Sequence, residues 1–254
     1  MKVLNSVVAG ILAVPTVYFA TVLGHAIVTV SLAEGFAHIC ENVWATSGLL
    51  DYCIGLLFTV PYLWLRTNAL PAKLVLATGA IFLGNVFSVT VFIYYILRSG
   101  GTLREALLPV RKATPPVSGP SPMHRVFVGL TLVSMLVFAF YCCYCLAVQP
   151  ISEGWQYIKG DTWSYVTVID VWTGIAMVIT YVIVREFRDA KLFALGMVIA
   201  LVLLGNGATC FYLLHLTIVR FPRWSLRDVF LWNDNDANVG EEAPLSADKA
   251  GVPL

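Results

Sequence analysis

Six long stretches with almost no Asp, Glu, Lys or Arg limit what this chain can fold into: residues 3–32, 49–65, 74–97, 126–148, 166–184 and 192–219. Each is about 17 to 30 residues long, enough to cross the ~30 Å hydrocarbon core of a bilayer as a helix. Backbone amides in lipid must be satisfied within their own segment, so the runs predict helices rather than isolated strands. The charge that remains is sparse, 12% of residues against about 25% in ordinary soluble domains. A formal net charge of +1 supplies no electrostatic footprint for nucleic acid. The first run is too long for a signal-peptide core and lacks a small-residue cleavage site, so it is expected to be retained as a span.

Laid on itself with a shift of 119, the chain matches without a gap from 34–66 onto 153–185. Identities fall at Glu34/Glu153, Gly35/Gly154, Ile39/Ile158, Trp44/Trp163, Asp51/Asp170, Gly55/Gly174, Tyr62/Tyr181 and Arg66/Arg185. Only one of these pairs is aliphatic, so shared greasiness does not explain them. The match resumes with small gaps at Leu83-Gly84-Asn85 against Leu204-Gly205-Asn206. It resumes again at Thr102-Leu103-Arg104-Glu105 against Ser225-Leu226-Arg227-Asp228. These last two resemble capping boxes, which would open a short amphipathic helix after the third run of each half.

The resulting expectation is an all-α integral membrane protein with six transmembrane helices arranged as two inverted three-helix repeats. The first repeat covers 1–108, a proline-rich linker 109–122, the second repeat 123–232, and a disordered acidic tail 233–254. Three spans per unit is an odd number, so the second copy enters the membrane upside down. Threaded that way, Lys and Arg divide almost evenly between the two sides, and the charge rule for orientation is silent. An integral protein of the endoplasmic reticulum or another internal membrane is expected.

At 100° per residue Asp51, Gly55, Tyr62 and Arg66 share one stripe of the second run, and Asp170, Gly174, Tyr181 and Arg185 repeat it on the fifth. Asp and Arg on one helix are about 22 Å apart along the axis and cannot pair. Inversion brings Asp51 to the depth of Arg185, and Asp170 to that of Arg66, which predicts two reciprocal ion pairs. Each residue also has a plain structural reading. An Arg just past an apolar run snorkels to the headgroups, an Asp opening a helix caps it, and a mid-span Asn glues helices together. Six cysteines, among them Cys142, Cys143 and Cys145, read most simply as small buried hydrophobes.

No phosphate loop, nucleophile elbow or zinc motif occurs, and no cofactor or metal is expected. The candidates for chemistry are the duplicated carboxylates Asp51, Asp170, Glu34 and Glu153. Asn85, Asn206, Tyr62, Tyr181, Arg66 and Arg185 are expected to bind the substrate.

The order Asp-x-x-x-Gly, then Arg or Arg-Glu after the span, then Leu-Gly-Asn in the next, resembles an uncharacterised three-helix membrane domain of bacteria that occurs doubled in plants. The second half carries it through Asp170, Gly174, Arg185, Glu186, Gly205, Asn206 and Tyr212, while the first half has Thr67 in place of the Glu. That domain brings no activity with it. In size, hydrophobicity and sparse acids the chain is also similar to small fungal membrane proteins that open epoxides in polyketide and meroterpenoid pathways. That second resemblance implies an enzyme acting on a lipophilic small molecule within the lipid bilayer. Epoxide opening needs one acid for the oxygen and one base for the nucleophile, a role for paired carboxyls. A small inverted-repeat carrier and a structural subunit are the competing expectations.

Overall fold

The computed structural model describes residues 2–109, 121–221 and 225–231. The proposed linker lies almost entirely outside the described residues, and the acidic tail wholly so. Among the described residues the chain is all-helical. Four helices are long and apolar enough to cross a membrane: α1 (Lys2–Thr29), α3 (Val43–Leu65), α7 (Pro122–Val148) and α9 (Thr162–Glu186). Two short helices, α2 (Leu32–Glu41) and α8 (Ile151–Gly160), join α1 to α3 and α7 to α9.

The third and sixth apolar runs are not single helices. The third divides into α4 (Leu70–Phe82) and α5 (Gly84–Arg98), the sixth into α10 (Lys191–Leu204) and α11 (Asn206–Leu214), which ends in a π-helical turn (His215–Arg220). The cause is local: Gly84 and Gly205 have φ of +64° and +57°, a conformation that residues with a Cβ rarely adopt. Each break turns the chain back on itself. A Cβ on Gly79 of α4 would strike the ring of Phe87 on α5, and Arg66, just before α4, lies 4.1 Å from the ring of Tyr95 near the end of α5. Likewise Phe193, near the start of α10, sits 4.6 Å from His215 past the end of α11. Both runs are therefore helical hairpins whose two ends lie at the same end of the bundle.

This corrects the expected topology. With a hairpin as its third element each unit runs the length of the bundle only twice, so the second unit starts from the same end as the first. Helices α3 and α9 accordingly pack side by side in the same direction. Gly48 faces Thr167 and Val168 at one end, and Tyr62 faces Tyr181, ring centroids 5.7 Å apart, at the other. The halves are parallel about an axis along the helices, not inverted.

The polar belt agrees with this threading. Among the described residues Lys2, Arg66, Lys73, Arg98, Arg104, Arg125, Arg185, Arg188, Lys191, Arg220 and Arg227 gather at the end where α1 begins, and only Lys159 lies at the other. The opposite end carries Glu34, Glu41, Glu153 and Asp161 on or beside α2 and α8. There Trp44 packs on Gly154 and Trp163 on Gly35, so closely that a Cβ on either glycine would overlap the indole. Trp44 Nε1 donates to the Gln149 carbonyl at 3.0 Å, and Trp163 Nε1 to that of Val30 at 3.1 Å.

The expected short amphipathic helices are present as α6 (Leu103–Leu107) and α12 (Leu226–Leu231). Thr102 and Glu105 close a reciprocal capping box on α6, and the Ser225 hydroxyl accepts the Asp228 amide at 3.3 Å.

Candidate functional site

The duplicated polar residues meet, though not in the expected pairs. A helix that breaks inside an apolar bundle frees backbone amides that need acceptors. At the tip of the second hairpin the Asn206 amide donates to Asp51 Oδ1 at 2.7 Å, and Asn206 Nδ2 donates to the Asp51 carbonyl at 3.1 Å. The first hairpin repeats this: the Asn85 amide donates to Asp170 Oδ1 at 2.8 Å, and its Nδ2 to the Asp170 carbonyl at 3.0 Å. Each carboxylate thus caps a half-helix of the other unit, where the helix dipole favours negative charge. Gly55 and Gly174 make room for the two asparagines. A Cβ there would lie 2.8 Å from Asn206 Nδ2 and 2.5 Å from Asn85 Nδ2.

The arginines do different work, and the predicted Asp51–Arg185 and Asp170–Arg66 pairs do not form. Arg66 donates to the carbonyls of Ala106 and Leu107 at 2.8 and 3.2 Å, and the Tyr62 hydroxyl donates to Leu107 at 3.2 Å. Arg185 donates to the Val229 carbonyl and to the Tyr181 hydroxyl, which in turn donates to the Phe230 carbonyl at 2.7 Å. Each Tyr–Arg pair therefore fastens the open C-terminal end of its own unit's short helix, where cations complement the dipole. The physical reason is that freed backbone groups at two different depths claim both partners, and parallel halves never bring Asp and Arg to one level. Beside Arg185, Glu186 accepts from the Tyr212 hydroxyl at 2.7 Å and pairs with Arg220. The first unit, with Thr67, has no counterpart.

Glu34 and Glu153 sit in the first turns of α2 and α8, exposed, at the acidic end. The four expected catalytic carboxyls are therefore not assembled in one place.

One large cavity opens on the side of the second unit. It encloses about 1060 Å³ among α3, α7, α9, α10 and α11 and is lined almost wholly by apolar groups. Trp44, Phe138, Trp172, Phe193 and Phe211 supply its aromatic surface, and Ser47, Asp51 and Cys142 its polar edge. Of the ten expected site residues only Asp51 lines it; Asp170, its repeat partner, does not. The residues that open the groove were missed in the sequence because they are plain hydrophobes. Their signal lies where the repeat departs from itself, with Val171 at the place of Tyr52 and Ala208 at that of Phe87.

No family model, curated protein or solved structure matches this chain. The site's own chemistry is consequently the ground for a functional reading.

Proposed function

We propose that this is an integral membrane protein that takes a lipophilic small molecule from the bilayer into the groove of its second unit. In this reading α1, α3, α7 and α9 span the bilayer, and the two hairpins dip into it from the cationic end. That end faces the cytoplasm, because Lys and Arg concentrate on the cytoplasmic side of membrane proteins. Broken helices at membrane depth are tolerated where protein buries them or where they line a cavity, and the α10–α11 break lies at the groove's wall. The observation that carries the reading is the groove itself: large, apolar, and walled by α3, α7, α9 and the α10–α11 hairpin.

Purified protein in nanodiscs would test it with a tryptophan-quenching lipophile, since Trp44 and Trp172 both line the groove. Saturable quenching that Ala208→Phe removes supports the reading. Quenching that follows only bulk partitioning sinks it.

Epoxide opening is a second reading, favoured by the position of Asp51 alone. Its carboxyl is the one acid on the groove, which would make the first copy the working one and Asp170 its structural twin. A general acid contributes about 10²–10⁴ in rate. If Asp51 works this way, Asp51→Asn loses turnover of a lipophilic epoxide in microsomes while Asp170→Asn keeps it; equal turnover by both removes the aspartates from the chemistry. The carrier reading rested on inverted repeats, kinked spans and mid-span Asn; parallel halves remove the first of these supports and leave the other two.

A further inference from the structure

The first unit contains the counterpart of the groove, and its own side chains fill it. When Asn85 turns its amide to Asp170, the carbonyl of Ile81, four residues back, loses its helical donor. Tyr52 replaces that donor: its hydroxyl donates to Ile81 at 2.9 Å and to Ala80 at 3.3 Å. The ring of Phe87 fills the space beside Gly79, between the two legs of the hairpin.

The second unit has the same backbone event without the same remedy. Asn206 turns its amide to Asp51, so the carbonyl of Val202 loses its helical donor in the same way. At the position of Tyr52 stands Val171, and at that of Phe87 stands Ala208. Among the described residues neither backbone nor side chain donates to Val202 in place of Asn206. Val171, Ala208 and Val202 all line the groove. An acceptor stripped of its donor in apolar surroundings is costly, by more than the net gain of an ordinary hydrogen bond.

We infer that the groove's ligand is a lipophilic ring compound carrying a hydroxyl: its rings lie where Phe87 and the Tyr52 ring lie in the first unit, and its hydroxyl donates to the carbonyl of Val202. This rests on the reading that the groove binds a lipophile, and adds to it the donor group and the ring. The first unit is in effect a copy of the complex with the ligand built in.

Two facts besides the missing donor favour this occupant over a lipid acyl chain. The repeat has lost both a ring and a hydroxyl at the same place, which a saturated chain replaces in neither respect. The groove wall also presents Trp172 and Phe193, flat surfaces suited to ring contact.

The experiment uses the full chain in nanodiscs and three fluorescent probes: dehydroergosterol, its 3-O-methyl ether, and the 3-deoxy hydrocarbon. Energy transfer from tryptophan reads binding. The alcohol is expected to saturate, with the ether and the hydrocarbon about tenfold weaker because neither donates a hydrogen bond. Val171→Tyr restores the first unit's own filling and abolishes binding of the alcohol. Ala208→Phe abolishes it independently, which guards against a folding defect in either variant. Equal binding of all three probes overturns the hydroxyl and leaves the groove reading standing. Unchanged alcohol binding by both variants places the site elsewhere and overturns the inference. Absence of saturable binding by any probe overturns both.

Discussion

Asp51 and Asn206, 155 residues apart in the chain, hold one another by two hydrogen bonds, carboxylate to backbone amide at 2.7 Å and side-chain amide to backbone carbonyl at 3.1 Å. Asp170 and Asn85 do the same at 2.8 and 3.0 Å. This exchange ties the units together at the tips of both hairpins and accounts for four of the duplicated residues.

The exchange predicts unequal effects of two substitutions at Asp51. Asp51→Asn keeps an oxygen acceptor for the Asn206 amide, whereas Asp51→Ala leaves that amide buried without one. The alanine variant should lose about 1–3 kcal/mol more, the usual cost of an unsatisfied buried donor. Thermal unfolding in detergent reads the difference, and equal stability of the two variants contradicts the cap.

Gly205 is expected to tolerate no side chain. Its φ of +57° combines with ψ of −139°, and an added Cβ would lie 2.5 Å from Asp51 Oδ2. Gly205→Ala should cost on the order of 1–3 kcal/mol from backbone strain alone. Gly196→Ala, where a Cβ meets nothing within 4 Å, serves as the control and should be near neutral.

The two arginines should differ although the repeat equates them. Arg185 is buried and linked to Tyr181, Val229 and Glu186, while Arg66 is only half-buried. Arg185→Ala removes one member of a buried charged cluster, a loss of about 3–5 kcal/mol. Arg66→Ala removes two hydrogen bonds from a donor that water partly reaches, a loss of about 1–2 kcal/mol in all. Comparable midpoint shifts for both would contradict the burial difference.

Topology has a direct readout. In a background with the six native cysteines replaced, single cysteines at Thr67, Gly100 and Lys159 are to be labelled from each side of the membrane. Hairpins place positions 67 and 100 on one side and 159 on the other. A continuous third span would separate 67 from 100, and that result would overturn the parallel arrangement.

The epoxide reading stays attached to one residue. Asp51 lines the groove and Asp170 does not, so any acid chemistry in the groove should be sensitive to Asp51→Asn and indifferent to Asp170→Asn.

Much of this was legible in the residues. The repeat, the apolar runs, the capping boxes and the importance of Asp51, Gly55, Asn85 and their twins all follow from spacing and identity. Each of these reflects a local rule: hydrophobic length, helix capping, close approach at glycine. The groove was not legible, because Val171 and Ala208 look like any other hydrophobes until Tyr52 and Phe87 show what stands in their place.

Sequence by itself determined that the chain is helical, apolar enough for a bilayer, duplicated, and dependent on the same polar residues in each half. Only the tertiary structure decided which way the halves run. A run such as 74–97 is equally able to cross a membrane as one helix or to fold back as two, since both bury the same side chains. What separates the two outcomes is the left-handed turn at Gly84 and Gly205 together with a carboxylate from the other unit waiting at each tip. That carboxylate is remote in sequence, and its supply of an acceptor is a tertiary event. With it, eleven of the described cations fall at one end and only Lys159 at the other, an asymmetry invisible under the wrong threading.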